Sequence, residues 1–261
     1  MSAAEPQRSL TPAEVNKIKH CAEAIRIGQD LFSCGGVLTG KDVDFDQLYL
    51  KYTDSFQPDE SFTTRPVPLT EEIIGKLARA GNIAPFGKGS ETVVDESYRL
   101  ARAIAIPDFA LVPDPALGSG LLTTIAAHLG LKYPLTARLA KLNIYPQGGF
   151  FKAHQDTARG ENHLGTITLC LPSSFTGGDL VVRKGDREIV YDWSTDVWGA
   201  SGNPQLPWAF LYADVEHEVL PVTSGMRVTA AWDVFTIPDS GTQISYDVLN
   251  SAAARTRDAS K

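Results

Sequence analysis

"FFKAHQDT", residues 150–157, follows the double glycine Gly148-Gly149 in a chain of 261 residues that contains five histidines. Successive side chains of an extended segment point to opposite faces, so His154 and Asp156, two apart, share one face and reach toward a single point. An imidazole and a carboxylate converging in this way make half of a metal site. Taken alone, His-x-Asp recurs by chance and most often marks a solvated loop. Its meaning depends on what the rest of the chain supplies.

On either side of this stretch, from about Leu135 onward, the chain reads as short β-rich runs. They are "ARLAKLNIY" (137–145), "GTITLCL" (165–171), "DLVVRK" (179–184), "REIVYDW" (187–193), "PWAFLYA" (207–213), "HEVLPV" (217–222) and "RVTAAWDVF" (227–235), parted by Gly, Pro, Ser and Asp. The pattern predicts a sandwich or barrel. Upstream, Thr11, Pro12 and Glu14 open an amphipathic helix over 11–32, a second helix runs from Thr70 to before Gly81, and a third lies in "GSGLLTTIAAHLGL" (118–131) with Ser119 as its cap. The expected fold class is therefore mainly β with flanking helices. Residues 1–134 are expected to form a helical and strand support region of the same domain, 135–237 its β-rich core, and 238–261 a polar C-terminal extension.

Composition narrows the function classes. Lys and Arg number 24 against 31 Asp and Glu, a formal charge of -7, and no dense basic run offers a grip on nucleic acid phosphates. No apolar run has membrane-spanning length, and "MSAAEPQRSLTPAE" lacks the apolar core of a secretory signal, so the expected setting is cytoplasmic, without a membrane partner. Cys21, Cys34 and Cys170 have no C-x-x-C spacing and read as buried free thiols rather than as a disulfide framework or a thiolate zinc site. Oligomeric state is not encoded in any pattern here.

A second histidine, His217, interrupts a strand-like run 63 residues after His154. Two imidazoles and one carboxylate on one face of Fe(II) leave positions open for a co-substrate and dioxygen. Zinc accepts the same donors, but a catalytic zinc needs one open position, and nothing resembles H-E-x-x-H. Ten residues after His217, Arg227 opens the apolar run 227–235. A full charge facing inward there needs an anion, and the far carboxylate of a dicarboxylic co-substrate fits the planar guanidinium fork.

The stretches "YPQGGFFKAHQDT" (145–157), "GTITLCLPSSFTGGDLVV" (165–182) and "WAFLYADVEHEVLPVTSGMRVT" (208–229) together resemble the Fe(II)- and 2-oxoglutarate-dependent oxygenases, in particular their prolyl 4-hydroxylase-like branch and its fungal single-domain relatives. The resemblance spans roughly Leu135 to Phe235. It implies a double-stranded β-helix, or jelly roll, with helices packed outside. It also implies His154, Asp156 and His217 as iron ligands, Arg227 as partner of the far carboxylate of 2-oxoglutarate, and Tyr145 as a co-substrate contact. Thr168 and Cys170 fall along the co-substrate pocket and Leu180 packs beside it. The cofactors implied are Fe(II), 2-oxoglutarate and dioxygen. The activity implied is oxidation, by default hydroxylation, of an unactivated C–H bond as 2-oxoglutarate becomes succinate and carbon dioxide.

Two departures bear on substrate. Many prolyl hydroxylases have Lys where this chain has Arg227, a mild change, and a second Tyr where it has Phe151, which removes a hydroxyl. The expected substrate is a small molecule, amino-acid-like or a natural product. A protein side chain of the prolyl type is the runner-up, and a non-catalytic metal-binding β-sandwich is the alternative of another class. His20 and His128 read as ordinary surface or half-buried helix residues, His163 as an exposed loop histidine with an approach to the site entrance as the second reading, and Trp193, Trp198, Trp208 and Trp232 as core or rim aromatics. "APFGKGSET" (84–92) lacks the spacing of a phosphate loop; lining the substrate mouth is the minor reading of it, and no role is assigned.

Overall fold

The computed structural model describes residues 31–53, 62–88, 91–160 and 162–237. The first expected helix, the 89–90 portion of the 84–92 loop and the C-terminal extension lie outside the described residues, apart from residues 31–32.

Two antiparallel sheets make the body. The larger has seven strands, in the order Ser33–Leu38, Leu206–Tyr212, His163–Cys170, Arg227–Thr236, Leu135–Tyr145, Arg102–Ala105 and Asn82–Ile83. The smaller has five, in the order Arg187–Tyr191, Leu180–Lys184, Glu216–Val219, Phe150–His154 and Arg99–Leu100. From Leu135 onward the chain passes back and forth between them: larger, smaller, larger, then two strands in the smaller, then larger, smaller and larger again. This winding is a double-stranded β-helix, a jelly roll, and it places residues distant in sequence opposite one another across a narrow interior.

Period-two alternation explains why the Arg227–Thr236 strand is apolar yet carries charge. Val228, Ala230, Trp232 and Val234 join the cluster that contains Ile74 and Leu77 of the Glu71–Ala80 helix and Leu121 and Ile125 of the Leu121–His128 helix. Each fully buried Val, Leu or Ile among them contributes roughly 1.5–3 kcal/mol over remaining exposed. The opposite face of the same strand, Arg227, Thr229, Ala231 and Asp233, lines an interior cavity. Leu135–Tyr145 repeats the arrangement after an irregularity between Leu139 and Lys141: Leu142 and Ile144 face the helices, and Lys141, Asn143 and Tyr145 the cavity. Between the sheets a second apolar cluster joins Tyr145, Cys170 and Leu211 to Phe151, Leu180, Val182 and Val219.

The Glu71–Ala80 helix begins as its sequence predicts, with Thr70 Oγ1 accepting from the Ile73 amide at 3.3 Å. Ser119 is not the cap of the next long helix. That helix starts after Gly120, in the left-handed region at φ 76°, with no side-chain cap, while the Ser119 hydroxyl donates to Pro115 O at 2.7 Å and closes the preceding Pro115–Gly118 turn of helix. The Ser119 backbone is helical rather than extended, so its side chain cannot reach forward. Upstream of Leu135 the structure also contains several short strands that the helix-centred reading did not resolve. Ser33–Leu38, Asn82–Ile83 and Arg102–Ala105 extend the larger sheet itself. No helix among the described residues is long and apolar enough to cross a membrane.

Candidate metal centre

Register explains how His154 and His217 meet. Phe150–His154 and Glu216–Val219 are antiparallel neighbours, His154 stands directly opposite His217, and the ring centroids are 4.2 Å apart. Both rings are held by the same device. His154 Nδ1 lies 2.8 Å from Lys152 O, and His217 Nδ1 lies 3.0 Å from Val215 O. A carbonyl oxygen only accepts, so each Nδ1 carries the proton and each Nε2 presents its lone pair. Asp156 lies just past the end of the Phe150–His154 strand, where Thr166 of the adjacent sheet donates its hydroxyl to Oδ2 at 2.5 Å. The other oxygen, Oδ1, stands 3.9 Å from His217 Nε2. One ligand atom from each of the three residues lies within 4.8 Å of the others, the one such group among the described residues.

The electrostatics suit a cation. Burial, then the neighbouring His217 ring, pushes His154 down to about 3, which keeps the imidazole neutral and able to ligate. Burial alone would raise the Asp156 carboxyl, but the His217 ring, the Thr166 hydroxyl and His154 outweigh it and hold it below the usual carboxylate range. Two imidazoles and an ionised carboxylate, each oriented by a hydrogen bond through its other atom, match a facial non-heme iron site with open positions. Phe151 completes the support. Its ring stacks on His154 with centroids 3.5 Å apart, and the Arg99 guanidinium lies 4.4 Å from the Phe151 centroid.

Arg227 sits opposite Tyr145 at the head of its strand and is only 1% exposed. Its Nε and Nη2 are buried without a hydrogen-bond partner, and its guanidinium carbon lies 5.4 Å from the Tyr145 ring and 5.0 Å from the Trp193 ring. Buried charges are normally paired, so an orphaned guanidinium facing a cavity marks the place of an anion. Thr168, Leu180 and Val219 line the same cavity. Gly178, at φ 73°, leaves room there, since a Cβ would come 3.0 Å from Arg227 Cδ. Cys170 is on the expected face but is fully buried in the apolar cluster rather than part of the cavity wall, and burial pushes its thiol up to about 12.

His163 corrects an expectation. It is the first residue of a strand rather than an exposed loop residue, its side chain is 1% exposed, and it borders the cavity 3.9 Å from Asp233. The apparent loop folds into the larger sheet because His163 pairs with Phe235, whose ring centroid is 5.2 Å away. His128, in contrast, is exposed as expected. Among the tryptophans, Trp193, Trp208 and Trp232 are buried. The Phe86–Lys88 and Glu91–Val93 hairpin packs through Phe86 on Tyr98, 4.6 Å between centroids, beside Phe151.

Thr166, Lys141 and Arg99 are the site residues that sequence reasoning passed over. Thr166 shares the parity of Thr168, and Lys141 the parity of Tyr145, so both were within reach of the alternation argument. Arg99 comes from a short upstream strand with no signal of its own.

Residues 140–232 match the family model described as the 2OG-Fe(II) oxygenase superfamily. No curated protein is significantly similar to the chain. Similar solved structures include a Trichoplax adhaerens prolyl hydroxylase in complex with a hypoxia inducible factor oxygen degradation domain peptide fragment, at 14% identity over 87% of this chain and 94% of that one, TM-score 0.45. Another is an oxidoreductase of the 2OG-Fe(II) oxygenase family from Burkholderia pseudomallei, at 17% identity over 62% and 79%, TM-score 0.40. A Pseudomonas putida prolyl-4-hydroxylase shares 19% identity over 57% and 76%, TM-score 0.36. A two-histidine, one-carboxylate cluster thus lies inside a jelly roll, and the 2OG-Fe(II) oxygenase superfamily model matches the strands that build it, residues 140–232.

Proposed function

We propose that this oxygenase hydroxylates an unactivated C–H bond of a small molecule, with His154, Asp156 and His217 holding Fe(II) and Arg227 holding the far carboxylate of 2-oxoglutarate. The observation that carries the reading is the partnerless Arg227 guanidinium, 1% exposed, in the same cavity whose wall presents the three ligand atoms. In balance, 2-oxoglutarate, dioxygen and R–H become succinate, carbon dioxide and R–OH. One oxygen atom enters the product and the other the succinate. Iron bound by these ligands would activate dioxygen, which is the oxidant, and the protein supplies position and charge.

The chain's own part can be stated atom by atom. The Lys152 and Val215 carbonyls fix both Nε2 atoms toward the metal, and Thr166 holds Asp156 so that Oδ1 is free to ligate. Arg227 and Tyr145 orient the co-substrate from its inner end, and Leu180 and Val219 exclude water beside it. Support for a small, ionised substrate comes from the charged side chains that line the cavity and from Phe151, whose ring is committed to His154. A metabolite extract incubated with the enzyme, Fe(II) and 2-oxoglutarate is expected to show a product 16 Da heavier than its precursor only when both are present. The same mass gain on proline-rich peptides, with no small-molecule product, would overturn the substrate class.

A further inference from the structure

The cavity carries more positive charge than iron and co-substrate account for. Four cationic side chains border it, Arg99, Lys141, Arg159 and Arg227, against two carboxylates, Asp156 and Asp233. Fe(II) and 2-oxoglutarate, a dication and a dianion, cancel, so the excess survives loading. It stands out in a chain with a formal charge of -7. Asp233 lies 3.9 Å from both Arg159 and His163, which leaves Lys141 and Arg99 without a carboxylate within ion-pair distance.

Lys141 is the unanswered group. It lies on the central Leu135–Tyr145 strand, opposite Ala231 on one side and Ala105 on the other, and its side chain turns into the cavity. Its ammonium makes no hydrogen bond or ion pair among the described residues. Burial, then the charge of Arg99, lowers its proton affinity, so the empty cavity disfavours the charged form. Arg99, by contrast, is held in place through both Nη atoms, with only its Nε left unpartnered. It donates to Asn143 Oδ1 at 2.7 Å and to Pro85 O at 2.6 Å, and lies over Phe151. Lys141 also cannot serve the co-substrate anchor. Its partner Ala231 is four residues along the strand from Arg227, about 13 Å at roughly 3.3 Å per residue.

We propose that Lys141 is the substrate anchor, and that the substrate is a small carboxylic acid whose carboxylate pairs with this ammonium while its C–H bond faces the metal. The inference rests on the functional reading above and names the substrate class of the same site. Arg99, fixed by Pro85 O, Asn143 and the Phe151 ring, adds field beside the contact, and Asn143, held by Arg99, sets the side of the pocket next to it. An ammonium on a flexible stem suits a single carboxylate better than a bidentate group.

The test uses the full chain loaded with Zn(II) and 2-oxoglutarate, so that no oxidation occurs. A panel of small aliphatic and amino carboxylic acids, each paired with its own primary amide, is titrated by saturation-transfer NMR. At least one acid is expected to bind saturably and about tenfold or more tighter than its amide. Lys141→Met is expected to bring that acid to the level of its amide, and Lys141→Arg to keep the preference. Zn(II) and 2-oxoglutarate retention is measured in the same samples. Amides that bind as well as acids, a panel without a binding acid, or a preference that survives Lys141→Met would overturn the proposal. The acid-amide comparison on the unmodified chain decides this even if the Lys141→Met protein does not fold. Failure to retain Zn(II) and 2-oxoglutarate would instead overturn the functional reading beneath it.

Discussion

Replacing Arg227 with methionine should act in opposite directions on the free and the liganded protein. In the free protein the guanidinium is 1% exposed, with Nε and Nη2 lacking hydrogen-bond partners, so the cost of its burial is offset by the faces of the Tyr145 and Trp193 rings rather than by an anion. An apolar side chain of similar length between Tyr145 and Trp193 removes that cost, and the ligand-free variant should melt at or above wild type. In the complex the sign reverses. Losing one member of a buried charge pair costs about 3–5 kcal/mol, which weakens 2-oxoglutarate by about two to three and a half orders of magnitude. At a 2-oxoglutarate concentration about 100 times the wild-type dissociation constant, ligand stabilises wild type by about 2.7 kcal/mol, and a variant weakened 100-fold or more by about 0.4 kcal/mol or less. At roughly 2–4 °C per kcal/mol for a chain of this size, the shifts are about 5–10 °C and about 1 °C. Differential scanning calorimetry with Zn(II) present, with and without 2-oxoglutarate, reads both effects. An equal ligand shift in the two proteins would show that the anion is held elsewhere. A ligand-free variant several degrees less stable than wild type would show that the guanidinium is already satisfied.

Two further outcomes follow from the metal cluster. Thr166→Val removes the hydroxyl that holds Asp156 Oδ2 and should weaken metal binding about 10- to 100-fold, read by competition with a metallochromic chelator. Affinity unchanged in the variant would mean that Asp156 is oriented by something else. The stability of the metal-free protein should fall as pH drops. His154 titrates at about 3 when folded and near 6.5 when unfolded, so between these values the unfolded chain binds an additional proton and stability declines by about 1.4 kcal/mol per pH unit. Asp156, depressed in the fold, contributes a loss of the same sign as pH falls through the carboxylate range. Denaturant melts from pH 7 to 4 on wild type and His154→Gln should differ in slope, and parallel slopes would contradict the assignment.

The alternation of side chains made much of the site readable. His154 and Asp156 share a face because they are two apart, and Arg227 points inward because Val228 and Ala230 point outward. The pairing of His154 with His217 was foreseeable only through the resemblance, since strand register across 63 residues depends on how the whole jelly roll winds. The strands before Leu135 were hidden for a physical reason. Asn82–Ile83 and Arg99–Leu100 are two residues long, too short to show any period, and owe their extended form to the strands they flank. His163 was misjudged because a polar residue beside Gly160 reads as a loop, and its burial comes from partners on a strand more than 70 residues away. Lys141 was legible by parity with Tyr145, but a lysine in an apolar run is ordinarily assigned to the solvent face.

The central claim is that these three side chains bind one iron that consumes 2-oxoglutarate. The most direct measurement is Fe(II)-dependent formation of succinate from 2-oxoglutarate by the purified chain, with iron content determined in the same preparation, for wild type and Asp156→Ala. Wild type should hold one equivalent of Fe(II) and form succinate slowly, and Asp156→Ala should lose both. Wild-type succinate formation by Asp156→Ala, or none by an iron-replete wild-type chain, would contradict the claim.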